Sequence, residues 1–130
     1  NKDAKGHNPL CGDKVHIFLK LNDNKKLEDI SFEGQGCAIS MASASIMTDL
    51  LKGKEEKEVK EIVTDFLEMI KEKDEIKTNL LKDDEKTKLM CLSGVKQYPM
   101  RVKCATLSWH TLTSAIDKSQ NEINSESLEV

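Results

Sequence analysis

The 130-residue sequence predicts an α+β domain, a small antiparallel β-sheet with helices packed on one face. Three observations carry that expectation. Near the N-terminus one alternating apolar run follows another across a polar turn. Two glycines close the second run. Beyond them the apolar positions recur at helical rather than strand spacing.

The opening stretch "NPLCGDK" (residues 8–14) concentrates the turn-formers Asn8, Pro9, Gly12 and Asp13, so the chain bends there with Cys11 and Asp13 two positions apart. "KVHIFLKL" then alternates, with Val15, Ile17, Leu19 and Leu21 on one face and His16, Phe18 and Lys20 on the other. That is the period of a half-buried strand. "NDNKK" (22–26) is a polar hairpin turn, and "LEDISFEG" is a second strand with Ile30 and Phe32 facing inward. So short a link makes the pair antiparallel. It also brings together Cys11, just before the first strand, and Cys37, just after the second.

Gly34 and Gly36 break the strand, and a helix is expected from about Ala38 to Leu51, with Ile39, Ala42, Ile46 and Leu50 at helical spacing and Gly53 as its stop. The small residues of "SMASAS" let it lie close to the sheet. Cys37 falls at its N-terminus, where free N–H groups and the helix dipole favour an anionic sulfur. A second helix is expected from Lys54 to about Lys73, its stripe made by Val59, Ile62, Val63, Phe66, Leu67 and Ile70. The charge run to Lys88 is nearly balanced, with pairs such as Glu56–Lys60, and reads as a solvated face. Residues 76–92 read as a loop and a short helix, and 93–101 as irregular. Pro99 opens the last helix, which buries Ala105, Trp109, Leu112 and Ile116 and holds Cys104 in its first turn. "NKDAKGH" reads as a polar leader, and the Ser-, Asn- and Glu-rich tail from Lys118 as frayed. One domain over 1–117 with a flexible tail over 118–130 is the expected organisation.

A net charge of −3 gives no electrostatic basis for a nucleic-acid or anionic-membrane partner. No apolar run approaches the roughly 18–20 residues of a membrane span, and the polar start lacks the core of a signal peptide. A cytoplasmic protein is expected. There Cys11, Cys37, Cys91 and Cys104 stay reduced, which disfavours two disulfides and brings metal or redox chemistry forward. With no CxxC pair, neither a zinc ribbon nor a thioredoxin-type motif is present. "GQG" lacks both the third glycine of a dinucleotide loop and a following Gly-Lys-Ser/Thr.

Three cysteines, Cys11, Cys37 and Cys104, are thus expected at the ends of elements, with Asp13 beside the first. Three thiolates and a carboxylate complete a tetrahedral shell suited to zinc, and a divalent cation would hold the thiols deprotonated. The same residues also read as a turn-former and packing volume, and spacing alone does not choose between the two. Cys91 reads as a buried or spectator thiol. His7 and His110 are conceivable further ligands, and His16 is a surface or packing residue. Arg101 offers a positive charge to a persulfide or partner, or is a solvated charge near a helix start.

"NPLCGD", "FEGQGCAISMASASIM" and "RVKCATLSWHTL" resemble the three cysteine-bearing motifs of the U-type iron–sulfur cluster assembly proteins, the IscU/NifU N-terminal family, over about Asn8 to Ile116. The long segment between Cys37 and Cys104 resembles the SufU branch. So does Lys103, which stands where IscU-type members carry a histidine ligand. The resemblance implies a site of Cys11, Asp13, Cys37 and Cys104. In SufU-like proteins such a site holds zinc, and sulfur is taken from a SufS-type cysteine desulfurase. In IscU-like relatives the same cysteines hold a nascent iron–sulfur cluster. The family's N-terminal helix, with its Tyr, His and Pro-Asn-Gly signals, is not found in residues 1–7.

Three functions follow as expectations. The first is a zinc-dependent sulfur acceptor that works with a desulfurase rather than as a stand-alone enzyme, passing sulfur to a downstream scaffold or acceptor. The second is a scaffold for the cluster itself. The third is an adaptor in which zinc only holds the fold. For the first, Cys11 on its turn is the expected acceptor, Asp13 is the weakest ligand because a hard oxygen competes poorly for a thiolate-rich zinc, and a partner residue that displaces a ligand is expected to free Cys11 while the metal stays bound.

Overall fold

The computed structural model describes residues 2–8, 12–71, 82–92, 94–95, 98–117 and 122–124. The two alternating runs form β2 (Asp13–Leu21) and β3 (Leu27–Gln35), antiparallel, with Ile17 opposite Phe32 and Leu19 opposite Ile30. Their inward residues Val15, Ile17, Leu19 and Ile30 are buried, and Phe32 is half-buried. Asn22 closes the turn: its Oδ1 accepts from the N–H groups of Asn24 and Lys26.

The stretch read as a polar leader is instead a strand, β1 (Lys2–Asn8), antiparallel to β2. It carries no apolar alternation because α4 (Pro99–Asp117) lies so close over it. Ala4, Gly6 and Asn8 face that helix and are buried. A Cβ on Gly6 would sit 2.2 Å from Thr111 Oγ1 and 3.1 Å from Leu107 Cδ1, so only a minimal residue fits. In the stretch expected to fray, β4 (Glu122–Asn124) pairs parallel with β1. The sheet order is therefore β3-β2-β1-β4.

Three further helices complete the order: α1 (Ala38–Leu51), α2 (Glu56–Lys71) and α3 (Asp83–Met90). The α2 stripe buries Val59, Ile62, Val63, Phe66 and Ile70 as its periodicity predicts, with Met69 added, while Leu67, expected in the stripe, is only half-buried. On α1 the buried face differs from the one expected. Ser40, Ser43, Ala44, Met47, Leu50 and Leu51 are buried, whereas Ile39 and Ile46 are half-covered and Ala42 is exposed. Close approach to α4 selects the small residues: Ser43 Oγ donates to Ala105 O and accepts from Trp109 Nε1 at 2.8 Å.

Helix α4 is central. It packs on β1, β2, α1 and α2, and Ala105, Trp109, Leu112 and Ile116 are all buried. Its buried Thr106 and Thr111 return their hydroxyls to the carbonyls of Val102 and Leu107, which removes the cost of orphaned polar groups inside the core. Trp109 stacks on Phe66 at 4.1 Å between ring centroids, tying α2 to the centre. The helices thus cover one face of the sheet, as the fold class predicts. Among the described residues no helix is long and apolar enough to cross a membrane.

Candidate metal centre

Three chain segments that are distant in sequence end at one corner of the sheet. Asp13 is the first residue of β2 and its alternation points the side chain under the helices, where it is fully buried. Cys37 follows β3 and is the N-cap of α1, its sulfur taking the place usually filled by a hydroxyl and accepting from Ser40 N–H at 3.4 Å. Cys104 is buried in α4. It lies in the second turn rather than the first, because the helix begins at Pro99 as expected and its first turn closes before residue 104.

The ligand atoms of Asp13, Cys37 and Cys104 all lie within 4.8 Å of one another. Asp13 Oδ1 accepts the Cys37 backbone N–H at 2.7 Å, and Oδ2 stands 3.7 Å from Cys37 Sγ. In a tetrahedral zinc site neighbouring sulfur and oxygen ligands lie roughly 3.5–3.8 Å apart. The Asp13–Cys37 pair already has that spacing, and the third ligand, the Cys104 sulfur, needs a contraction of about 1 Å at most to match it. The donor set fits a thiophilic divalent metal: two sulfurs and a carboxylate, drawn from three elements, with a fourth position for one more ligand.

Cys11 lies outside the described residues. Its sequence position places it two peptide units from Asp13, at most about 7 Å of backbone. Cys91 is at the C-cap of α3, exposed rather than buried, and is not in the converging group. His7, His16 and His110 are likewise outside that group among the described residues. His16 pairs with Asp3 and stacks on Phe18 on the helix-free face of the sheet. Arg101 is exposed on α4, one turn before Cys104. Among the described residues Cys37 and Cys91 are free thiols.

Two residues matter here beyond the expected four. Gly36 holds φ +154°, and a Cβ there would lie 2.2 Å from Asp13 Oδ1, so its bare backbone is what lets the Cys37 amide reach the carboxylate. Asn8, which the sequence presents only as a turn-former, is fully buried and donates from Nδ2 to Cys104 Sγ at 3.5 Å. The one signal for it is positional: it ends the inward series Ala4, Gly6, Asn8 on β1.

Comparison with known proteins gives this geometry a family. The chain is 40% identical over 115 residues to the iron–sulfur cluster assembly scaffold protein IscU of Streptococcus pyogenes serotype M1, covering 88% of this chain and 69% of that protein. It is 41% identical over 114 residues to the zinc-dependent sulfurtransferase SufU of Bacillus subtilis strain 168, covering 88% of this chain and 74% of that one. The structure of an iron–sulfur cluster assembly scaffold protein for the SUF system from Fervidobacterium islandicum AW-1 superposes with a TM-score of 0.75 at 36% identity, over 89% of this chain and 80% of the other. The model of the NifU-like N terminal domain family matches residues 1–125. With a match over nearly the whole length, the chain belongs to the NifU-like N-terminal domain family.

Proposed function

We propose that the protein is a zinc-binding sulfur acceptor in iron–sulfur cluster assembly, taking persulfide sulfur from a SufS-type cysteine desulfurase and passing it to a downstream scaffold or acceptor. The observation that carries this reading is the convergence of Asp13, Cys37 and Cys104 within 4.8 Å, with Cys11 two positions before Asp13 in the sequence. Asp13, Cys37, Cys104 and Cys11 would hold the metal. Zinc bound there keeps thiols ionised at neutral pH and contributes no redox chemistry of its own.

The chain's own residues divide the work by their surroundings. Cys104 is buried in a central helix and Cys37 is fixed as a helix cap. Both are anchored. Cys11 is the sulfur acceptor: its thiolate attacks the outer sulfur of the desulfurase persulfide, a new S–S bond forms on Cys11, the persulfide S–S bond breaks, and the desulfurase cysteine leaves as thiolate. No external oxidant or reductant is needed. Asp13 would be the weakest ligand, since its oxygen is the hardest donor in the set, and a partner residue that displaced a ligand would free Cys11 while the metal stayed bound.

Protein purified without oxygen is expected to be colourless with one zinc per chain, and to raise desulfurase turnover. Cys11→Ala is expected to accept no labelled sulfur; acceptance at the parental rate overturns the assignment. The second reading, a scaffold for a nascent cluster, is favoured by the name of the Streptococcus relative. It predicts brown protein containing iron and sulfide. Lys103, standing where IscU-type members have a histidine ligand, favours the first.

A further inference from the structure

We propose that Asn8 is a positioning residue for the site, its side-chain amide holding the Cys104 sulfur as a fixed, weakly nucleophilic metal ligand. This rests on reading Cys104 as a metal-bound thiolate.

The placement argues for it. Asn8 and Asp13 are direct cross-strand partners at the end of the β1–β2 hairpin, so their side chains leave the same face side by side. Each reaches one sulfur: Asp13 takes Cys37 through its amide and thiol, and Asn8 takes Cys104. Both Asn8 and Cys104 are fully buried, in a region where an amide without a partner is costly. A metal-bound thiolate carries no proton, so only the N–H₂ side of the amide is attracted to it; the carbonyl side would be repelled. An N–H bond to a thiolate is charge-assisted, and it withdraws electron density from the sulfur. Less density on sulfur means weaker attack on a persulfide and a higher-energy sulfur-to-metal charge transfer. Leucine at this position would offer no donor, and aspartate would set a second anion against the sulfur. The asymmetry keeps Cys104 out of sulfur transfer and leaves that task to Cys11.

The test uses the full chain loaded with zinc or with cobalt(II), as wild type, Asn8→Leu and Asn8→Asp. In Asn8→Leu the sulfur-to-cobalt charge-transfer band is expected to move to lower energy, and zinc is expected to pass to a chelator about tenfold faster. Asn8→Asp is expected to lose zinc faster still. A measurement on the wild type serves if the variants fail to fold: the Asn8 side-chain amide protons, followed by nuclear magnetic resonance, are expected to shift downfield on zinc loading. An unmoved band and release rate in a metal-loaded Asn8→Leu protein, or an unmoved amide resonance on loading, overturns the proposal. Failure of the wild type to bind zinc or cobalt overturns the proposed function instead.

Discussion

Asp13 shows how much one side chain is asked to do. Its carboxylate receives the Cys37 backbone N–H, faces the Cys37 thiol and lies within ligand distance of Cys104, all without solvent access. Asp13→Ala is expected to keep a cooperative unfolding transition and to release zinc to a chelator at least about tenfold faster, which competition with a coloured chelator would read. Gly36→Ala is expected to reproduce that phenotype with the carboxylate still present, because a methyl group 2.2 Å from Oδ1 pushes Asp13 away from Cys37. Zinc retention equal to the parent in Gly36→Ala would show that the close approach is incidental. The sequence singled out Asp13, Cys37 and Cys104 because thiols and a carboxylate are recognisable donor types, and the structure brings these three together; Cys11 lies outside the described residues. The contributions of Gly36 and Asn8 were not legible in the sequence. A glycine's role here is the volume it leaves empty, and an asparagine beside a proline looks like a turn until the opposing sulfur is in place.

At the level of elements, legibility followed the range of the cause. The β2–β3 hairpin and the stripe of α2 are set by local alternation and local periodicity, and both were visible in the residues. Strand β1 was hidden because its inward face was chosen by α4, more than a hundred positions away at Lys2, whose Nζ donates to Ile116 O. The buried face of α1 was misread for the same reason. Apolar periodicity singled out Ile39 and Ile46, while the face that is buried carries Ser40, Ser43 and Ala44, and Ser43 meets α4 directly. Ser43 is the test of that account. Replacing it with alanine leaves Trp109 Nε1 and the Ala105 carbonyl without the partner they share, in the core. A loss of about 1–3 kcal/mol is expected in denaturant unfolding. Trp109 is the only tryptophan, so its emission reports directly on this junction. An unchanged unfolding midpoint would mean that α1 and α4 are held by apolar contact alone. The Gly6–Thr111 approach gives an independent check: Gly6→Ala is expected to cost about 1–3 kcal/mol, and Thr111→Ala to recover part of it in a double-mutant cycle.

For the whole molecule, a metal at this site would act as a cross-link as well as a chemical centre. Asp13 belongs to the hairpin, Cys37 to the start of α1 and Cys104 to the central helix, so a metal held by all three joins the sheet to two helices that otherwise meet it through packing. Such a ligand binds the folded chain and finds no preformed site in the unfolded one. At free zinc roughly a thousandfold above its dissociation constant, the folded state gains about 4 kcal/mol. For a chain of this size that is a rise of roughly 15 °C in the unfolding midpoint. Stripping the metal with a chelator is therefore expected to lower the midpoint by that order, and returning zinc to restore it. Cys104→Ser should shrink the shift, because a hydroxyl does not ionise to match a thiolate, while Cys91→Ser should leave it whole, since that thiol is exposed and lies outside the cluster. A midpoint that stays put when metal analysis shows the zinc gone would mean that packing alone draws the three ligands together. The ion would then be cargo on a finished fold, and the mechanism would have to find its thiolate character without it.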